Sequence, residues 1–98
     1  MKTIYKITNI THLNGQTRTD DKYPLRINSI VCVKDEFLIE HFPAILFYIK
    51  DGSGDIKTGK CIYTSAVRRF DKTDINLTIY TRNSIYYLEE YKEILNEI

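Results

Sequence analysis

The sequence predicts a mainly β domain: a small curled antiparallel sheet or SH3/OB-like barrel with one C-terminal α-helix. Three observations carry that expectation. Five or six short segments rich in β-branched and aromatic residues recur between turn signals. No strand–helix alternation marks a βαβ rhythm. Only in the tail does the apolar period become helical, where Leu88, Tyr91, Ile94, Leu95 and Ile98 share one face. The expected boundaries are a single domain over residues 1–98, a β region over 2–88 and a helix over about 88–97. Ninety-eight residues supply one core and leave no room for a second domain.

In chain order, residues 2 to 10 are short, β-branched and aromatic enough for a first strand. Asn14-Gly15 supplies a hairpin turn, because both residue types tolerate positive φ, and residues 16 to 19 form its short polar return. Asp20-Asp21 marks a loop, and Pro24, which has no N–H to give a ladder, belongs at an edge or a strand start. Residues 25 to 34 read as a second β region broken at Asn28-Ser29. Residues 35 to 41 have room for one helical turn before Pro43 biases the chain towards extended backbone.

Residues 44 to 49 are apolar throughout, the pattern of a central strand covered on both faces. Residues 51 to 60 contain three glycines and read as an exposed hairpin loop. The next strand, residues 61 to 70, loses its alternation at Thr64-Ser65. A polar turn over 71 to 76 leads to a strand of clean period two over 77 to 82. The expected core is Ile45, Phe47, Ile49, Ile62, Val67, Leu77, Ile79 and Leu88. The terminal helix must bury its stripe, either by capping one end of the barrel or by packing against a second copy, so a homo-oligomer is expected.

Composition narrows the class. The chain is 43% hydrophobic and 28% charged, with fourteen basic and thirteen acidic residues, as in ordinary globular domains. No apolar run approaches the roughly 18 to 20 residues of a membrane span, and no basic-then-apolar leader opens the chain. The expectation is a cytoplasmic protein with no membrane partner. Cys32 and Cys61 sit in apolar runs and are expected as buried free thiols. Heavy use of Ile, Lys, Tyr and Asn suggests a low-GC bacterium or its phage.

Recognition chemistry is densest over residues 78 to 88. A turn at Arg82-Asn83 pairs Ile79 with Tyr86, and a turn at Asn83-Ser84 pairs Ile79 with Leu88. The two registers differ by two residues and so keep the same faces. Leu77, Ile79, Thr81, Tyr86 and Leu88 form the core face, and Thr78, Tyr80, Arg82, Ile85 and Tyr87 form the other. Aromatic rings beside a guanidinium suit a planar group carrying negative charge. The candidate ligand-binding set is therefore Tyr80, Arg82, Asn83, Ser84 and Tyr87, with Tyr23 and Arg26 as a second wall. The plainer alternative is that the rings and the arginine merely cover the sheet.

The run Thr81-Arg82-Asn83-Ser84-Ile85-Tyr86-Tyr87-Leu88, preceded by Gly59 and Thr64-Ser65-Ala66-Val67, resembles the carboxy-terminal half of small phage and mobile-element proteins of low-GC Gram-positive bacteria. It covers about a third of the chain. The resemblance implies a phage-type accessory protein with a small β-barrel fold and carries no catalytic residues.

Other chemistries are set aside on spacing. Residues 54 to 60 match the first part of a phosphate-binding loop, but Cys61 replaces the hydroxyl that holds magnesium and the following residues are strand-like. The run from Asp51 departs from a calcium loop at Ile56 and at Ile62. His12, His41, Cys32 and Cys61 lack paired zinc spacing, and they are also the only raw material for a nucleophile and base. No metal, cofactor or catalytic residue is assigned. Arg68-Arg69 and Arg82 with Arg18 and Arg26 offer a local wall for nucleic acid, but a net charge of +1 shows no general footprint for a polyanion. The expected function is non-enzymatic sequestration of a small anionic, nucleotide-derived ligand. The alternatives are blocking of a host defence protein and single-stranded nucleic-acid binding.

Overall fold

Strand follows strand around a closed antiparallel ring in the computed structural model, which describes residues 2–92. The strands are β1 (Lys2–Thr11), β2 (Ile30–Lys34), β3 (Pro43–Lys50), β4 (Cys61–Lys72), β5 (Asn76–Thr81) and β6 (Ile85–Glu90). Each pairs with its neighbours in sequence order, and β1 closes the ring against β6 from Tyr5↔Glu90 to Thr11↔Ile85. Six strands in sequence order differ from the five-stranded Greek key of an OB fold. The helical content of the described residues is one turn, α1 (Tyr23–Arg26), and a 3₁₀ turn at Asp35–Phe37. No helix among them is long and apolar enough to cross a membrane.

Closure of so short a ring needs sharp coiling, and bulges supply it. β1 shifts register between Ile7 and Asn9, and β4 shifts twice. The first shift in β4 falls where Tyr63 and Ala66 oppose Ile45 and Pro43, at the expected break over Thr64-Ser65. There the Thr64 hydroxyl replaces a ladder partner, accepting from the Ala44 N–H at 2.9 Å and donating to the Ser65 carbonyl at 2.7 Å. The inward set along β4 therefore runs Ile62, Thr64, then Val67.

Leu77, Ile79, Thr81, Tyr86 and Leu88 all point into the core, and Ile79 pairs with Tyr86, the register of a turn at Arg82-Asn83. Ile62 and Val67 are buried with them. In β3 the expected parity is reversed. Ala44 and Leu46 are buried, while Ile45, Phe47 and Ile49 are half-buried on the outer side. A strand apolar at every position carries no alternation to reveal its inner face, and one residue of register exchanges the faces.

Four other expectations change. Pro24 opens α1 rather than a strand, since a first-turn residue needs no N–H donor. The β region over 25 to 34 begins at Ile30, after Asn28 turns the chain with φ 72°. The helix over 88–97 is replaced at its start: Leu88 to Glu90 belong to β6, and the Tyr91 N–H donates to the Ile4 carbonyl at 2.9 Å. Residues 91 and 92 are not helical either, and residues 93 to 97 of that expectation lie outside the described residues. Cys32 and Cys61 are half-buried rather than buried. Each pairs with Phe47 from opposite sides, so one strand separates them, about 10 Å at ordinary strand spacing and too far for a disulfide.

Candidate functional site

The turn between β5 and β6 is built by hydroxyls. Thr81 Oγ1 donates to the Ser84 carbonyl at 2.7 Å and accepts the Ser84 N–H at 3.1 Å, leaving Arg82 and Asn83 to reverse the chain. The bulged part of β4 holds that turn from the side. Arg82 N–H donates to the Ala66 carbonyl at 2.9 Å and Asn83 N–H to Ser65 Oγ at 3.0 Å. The irregularity in β4 thus decides where Arg82 stands.

A second assembly covers one end of the ring. The Arg18 guanidinium grips both carboxylate oxygens of Asp20, at 3.1 and 2.7 Å, and donates to the Asn83 carbonyl and to Ser84 Oγ at 2.9 and 2.8 Å. It also lies 4.1 Å from the centre of the Tyr23 ring, which has Arg26 at 5.2 Å. Arg26 in turn donates to the buried Tyr86 hydroxyl at 2.9 Å. The hydrogen bond from Arg18 holds the Asp20 carboxyl well below its ordinary range, at about 2. Burial pushes the Tyr86 phenol up, with Arg26 opposing.

These contacts divide the predicted ligand set. Tyr23, Arg26, Ser84 and the Asn83 backbone meet in the end cap, joined by Arg18 and Tyr86. Tyr80 and Tyr87 stand half-buried on the outer wall of β5–β6, where Tyr87 pairs with Thr78 and Asn9. The Arg69 guanidinium covers the Tyr80 ring at 3.8 Å and pairs with Asp71 at 2.8 Å. Arg82 is exposed and lines an open depression of about 640 Å³ with His41, Ala66, Val67 and Arg68, a set containing neither tyrosine nor any residue of the cap. At the other end of the ring, Tyr5, Val33, Leu38 and Leu77 line a cleft of about 240 Å³. That volume is below the ~300 to 1,000 Å³ usual for a drug-sized ligand.

No protein-family model, curated protein or solved structure matches this chain.

The sequence reading missed an outer apolar patch. Phe37, Ile39, Phe42 and Tyr63 are 37, 51, 63 and 65% exposed and line one shallow surface with Pro43 and Ile45. It continues along the outer row, where Phe37 meets Phe47 edge-on at 5.5 Å and Lys34 lies 4.7 Å from the same ring. The signal was present: Phe37, Ile39 and Phe42 sit in a short connection between strands, and Tyr63 alternates with inward Ile62 and Thr64. Arg18 was also missed as the organiser of the cap, because its partners lie 65 and 66 residues away.

Proposed function

We propose that this chain is a non-enzymatic protein-binding module of the small up-and-down barrel kind, working as a phage-type accessory protein that blocks a host protein. One observation carries the reading: the contiguous patch of Phe37, Ile39, Phe42, Pro43, Ile45 and Tyr63 on the outside of a closed sheet. Aromatic anchors on a rigid surface are what an interface centre needs, and large exposed apolar patches on small proteins mark such centres. The test is co-purification from host lysate beside a Phe42→Asp, Tyr63→Ser variant of unchanged melting temperature. A stoichiometric partner retained by the parent and lost by the variant is expected. A partner set identical for both proteins would remove the reading.

A second reading, sequestration of a small anionic nucleotide-derived ligand, draws support from Arg68 and Arg82, neither of which has a carboxylate partner among the described residues. Calorimetry with nucleotides and cyclic dinucleotides, run beside Arg82→Ala, tests it. Sub-micromolar binding that Arg82→Ala abolishes would place this reading first, and no heat with any of them removes it.

A further inference from the structure

The apolar patch and the basic depression share a border. Residues 41 to 43 run alongside 66 and 67. The His41 N–H donates to the Val67 carbonyl at 2.8 Å, the Val67 N–H to the Phe42 carbonyl at 2.9 Å, and Pro43 pairs with Ala66. His41 lines the basic side and Phe42 the apolar side. His41 holds φ 75°, a left-handed conformation that costs energy for a residue with a side chain and persists only where surrounding bonds impose it. Arg18 and Arg69 are each neutralised by an aspartate two residues away, whereas Arg68 and Arg82 face the depression with no carboxylate partner among the described residues.

We propose that the partner of this surface is an acidic protein segment, its aromatic or aliphatic anchors seated on Ile39, Phe42 and Tyr63 and its carboxylates held by Arg68 and Arg82. The proposal rests on the protein-binding reading above and names the partner's chemistry. The exposed surface of the four large apolar residues is on the order of 400 Å², about half of the ~800 Å² per partner in a standard interface. The remainder of such an interface is a polar rim, and here the rim beside Phe42 is cationic. Guanidinium forks bind carboxylates in two parallel bonds, so Arg68 and Arg82 add orientation as well as attraction. A second copy of this chain is the weaker occupant, because it brings Arg68 and Arg82 again and only Glu36 among the patch-lining residues to oppose them. A long nucleic acid needs cations spaced along a track, and an apolar surface of this kind interrupts one.

The probe is a display library of random twelve-residue peptides panned on the immobilised full-length chain, with enriched peptides synthesised and titrated. Three proteins are compared: the parent, the double variant Arg68→Ala, Arg82→Ala, and the double variant Phe42→Ala, Tyr63→Ala. All four positions are exposed, and unchanged thermal melting confirms that both variants fold. Enriched peptides are expected to place Asp or Glu beside an aromatic or aliphatic pair, and to lose about tenfold or more in affinity on each variant. The arginine-dependent part should fade as salt rises, since exposed charges are screened. Peptides that lack acids, or bind the arginine variant as well as the parent, overturn the acidic partner and leave the binding-module reading standing. Peptides indifferent to Phe42 and Tyr63, or no enrichment, overturn both. A dimer in light scattering that the Phe42→Ala, Tyr63→Ala variant abolishes assigns the surface to a second copy. Oligothymidylate binding that depends on the arginines but not on Phe42 assigns it to nucleic acid. Either result overturns the proposal.

Discussion

Arg26 reaches across the end of the ring and donates from Nη1 to the Tyr86 hydroxyl at 2.9 Å, linking the connection before β2 to a side chain at the core of β6. Tyr86→Phe removes the acceptor without a cavity, and a hydrogen bond to a charged donor contributes roughly 1.5 to 3 kcal/mol. Urea unfolding should show a loss in that range, and a loss near zero would mean that the cap does not hold the core. Burial raises the Tyr86 phenol, so its contribution is complete below the ordinary tyrosine value near 10 and is lost as pH rises through the raised one. Tyr86→Phe should remove one late-titrating phenol from the ultraviolet titration.

Acid should loosen the same cap. Asp20 titrates at about 2, below its ordinary value near 3.9, so the stability it contributes is complete above about pH 4 and is lost as pH falls through 2. Melting followed from pH 6 to about 2 should decline in that window for the parent, and less for Asp20→Asn. Parallel curves would dissociate the Arg18–Asp20 pair from folding.

The reversed parity of β3 has a direct test. Leu46→Ala should cost about 2 to 5 kcal/mol, because its side chain is fully enclosed, and Ile45→Ala distinctly less. Equal losses on denaturation would restore the expected inward Ile45.

Gly52 supports close backbone contact between the hairpin loop and the end of α1. A Cβ there would stand 2.4 Å from the Ile27 carbonyl oxygen and 3.0 Å from that of Leu25, both main-chain atoms. Gly52→Ala should destabilise by about 1 to 3 kcal/mol, as overpacking does. A melting temperature equal to the parent's would show that this loop moves freely over α1.

Where hydrophobicity alternates, the sequence by itself determined which residues face the core. The core face of β5 and β6 and the break in β4 followed from period-two patterning and local turn chemistry, whereas the choice between turns at Arg82-Asn83 and Asn83-Ser84 was made by the fold, which pairs Ile79 with Tyr86. Patterning and turn chemistry are properties of residues near in sequence. Where the pattern is uniform or the determining contact is distant, only the tertiary structure decided. β3 is apolar on both faces, so its inner side was settled by pairing with β2 and β4. The apolar period of residues 88 to 98 suggested a helix, but for Leu88 to Glu90 the ladders to β1 and β5 won, because ring closure pairs backbone groups on both sides. Tyr23, Arg26 and Ser84 were singled out as two walls of one ligand site, and the fold brings them together as a cap joined by Arg18, through contacts spanning two-thirds of the chain. The patch at Ile39, Phe42 and Tyr63 was equally hidden, since two of its residues lie in a connection and the third on a strand, and only the folding of that connection against β4 makes them one surface.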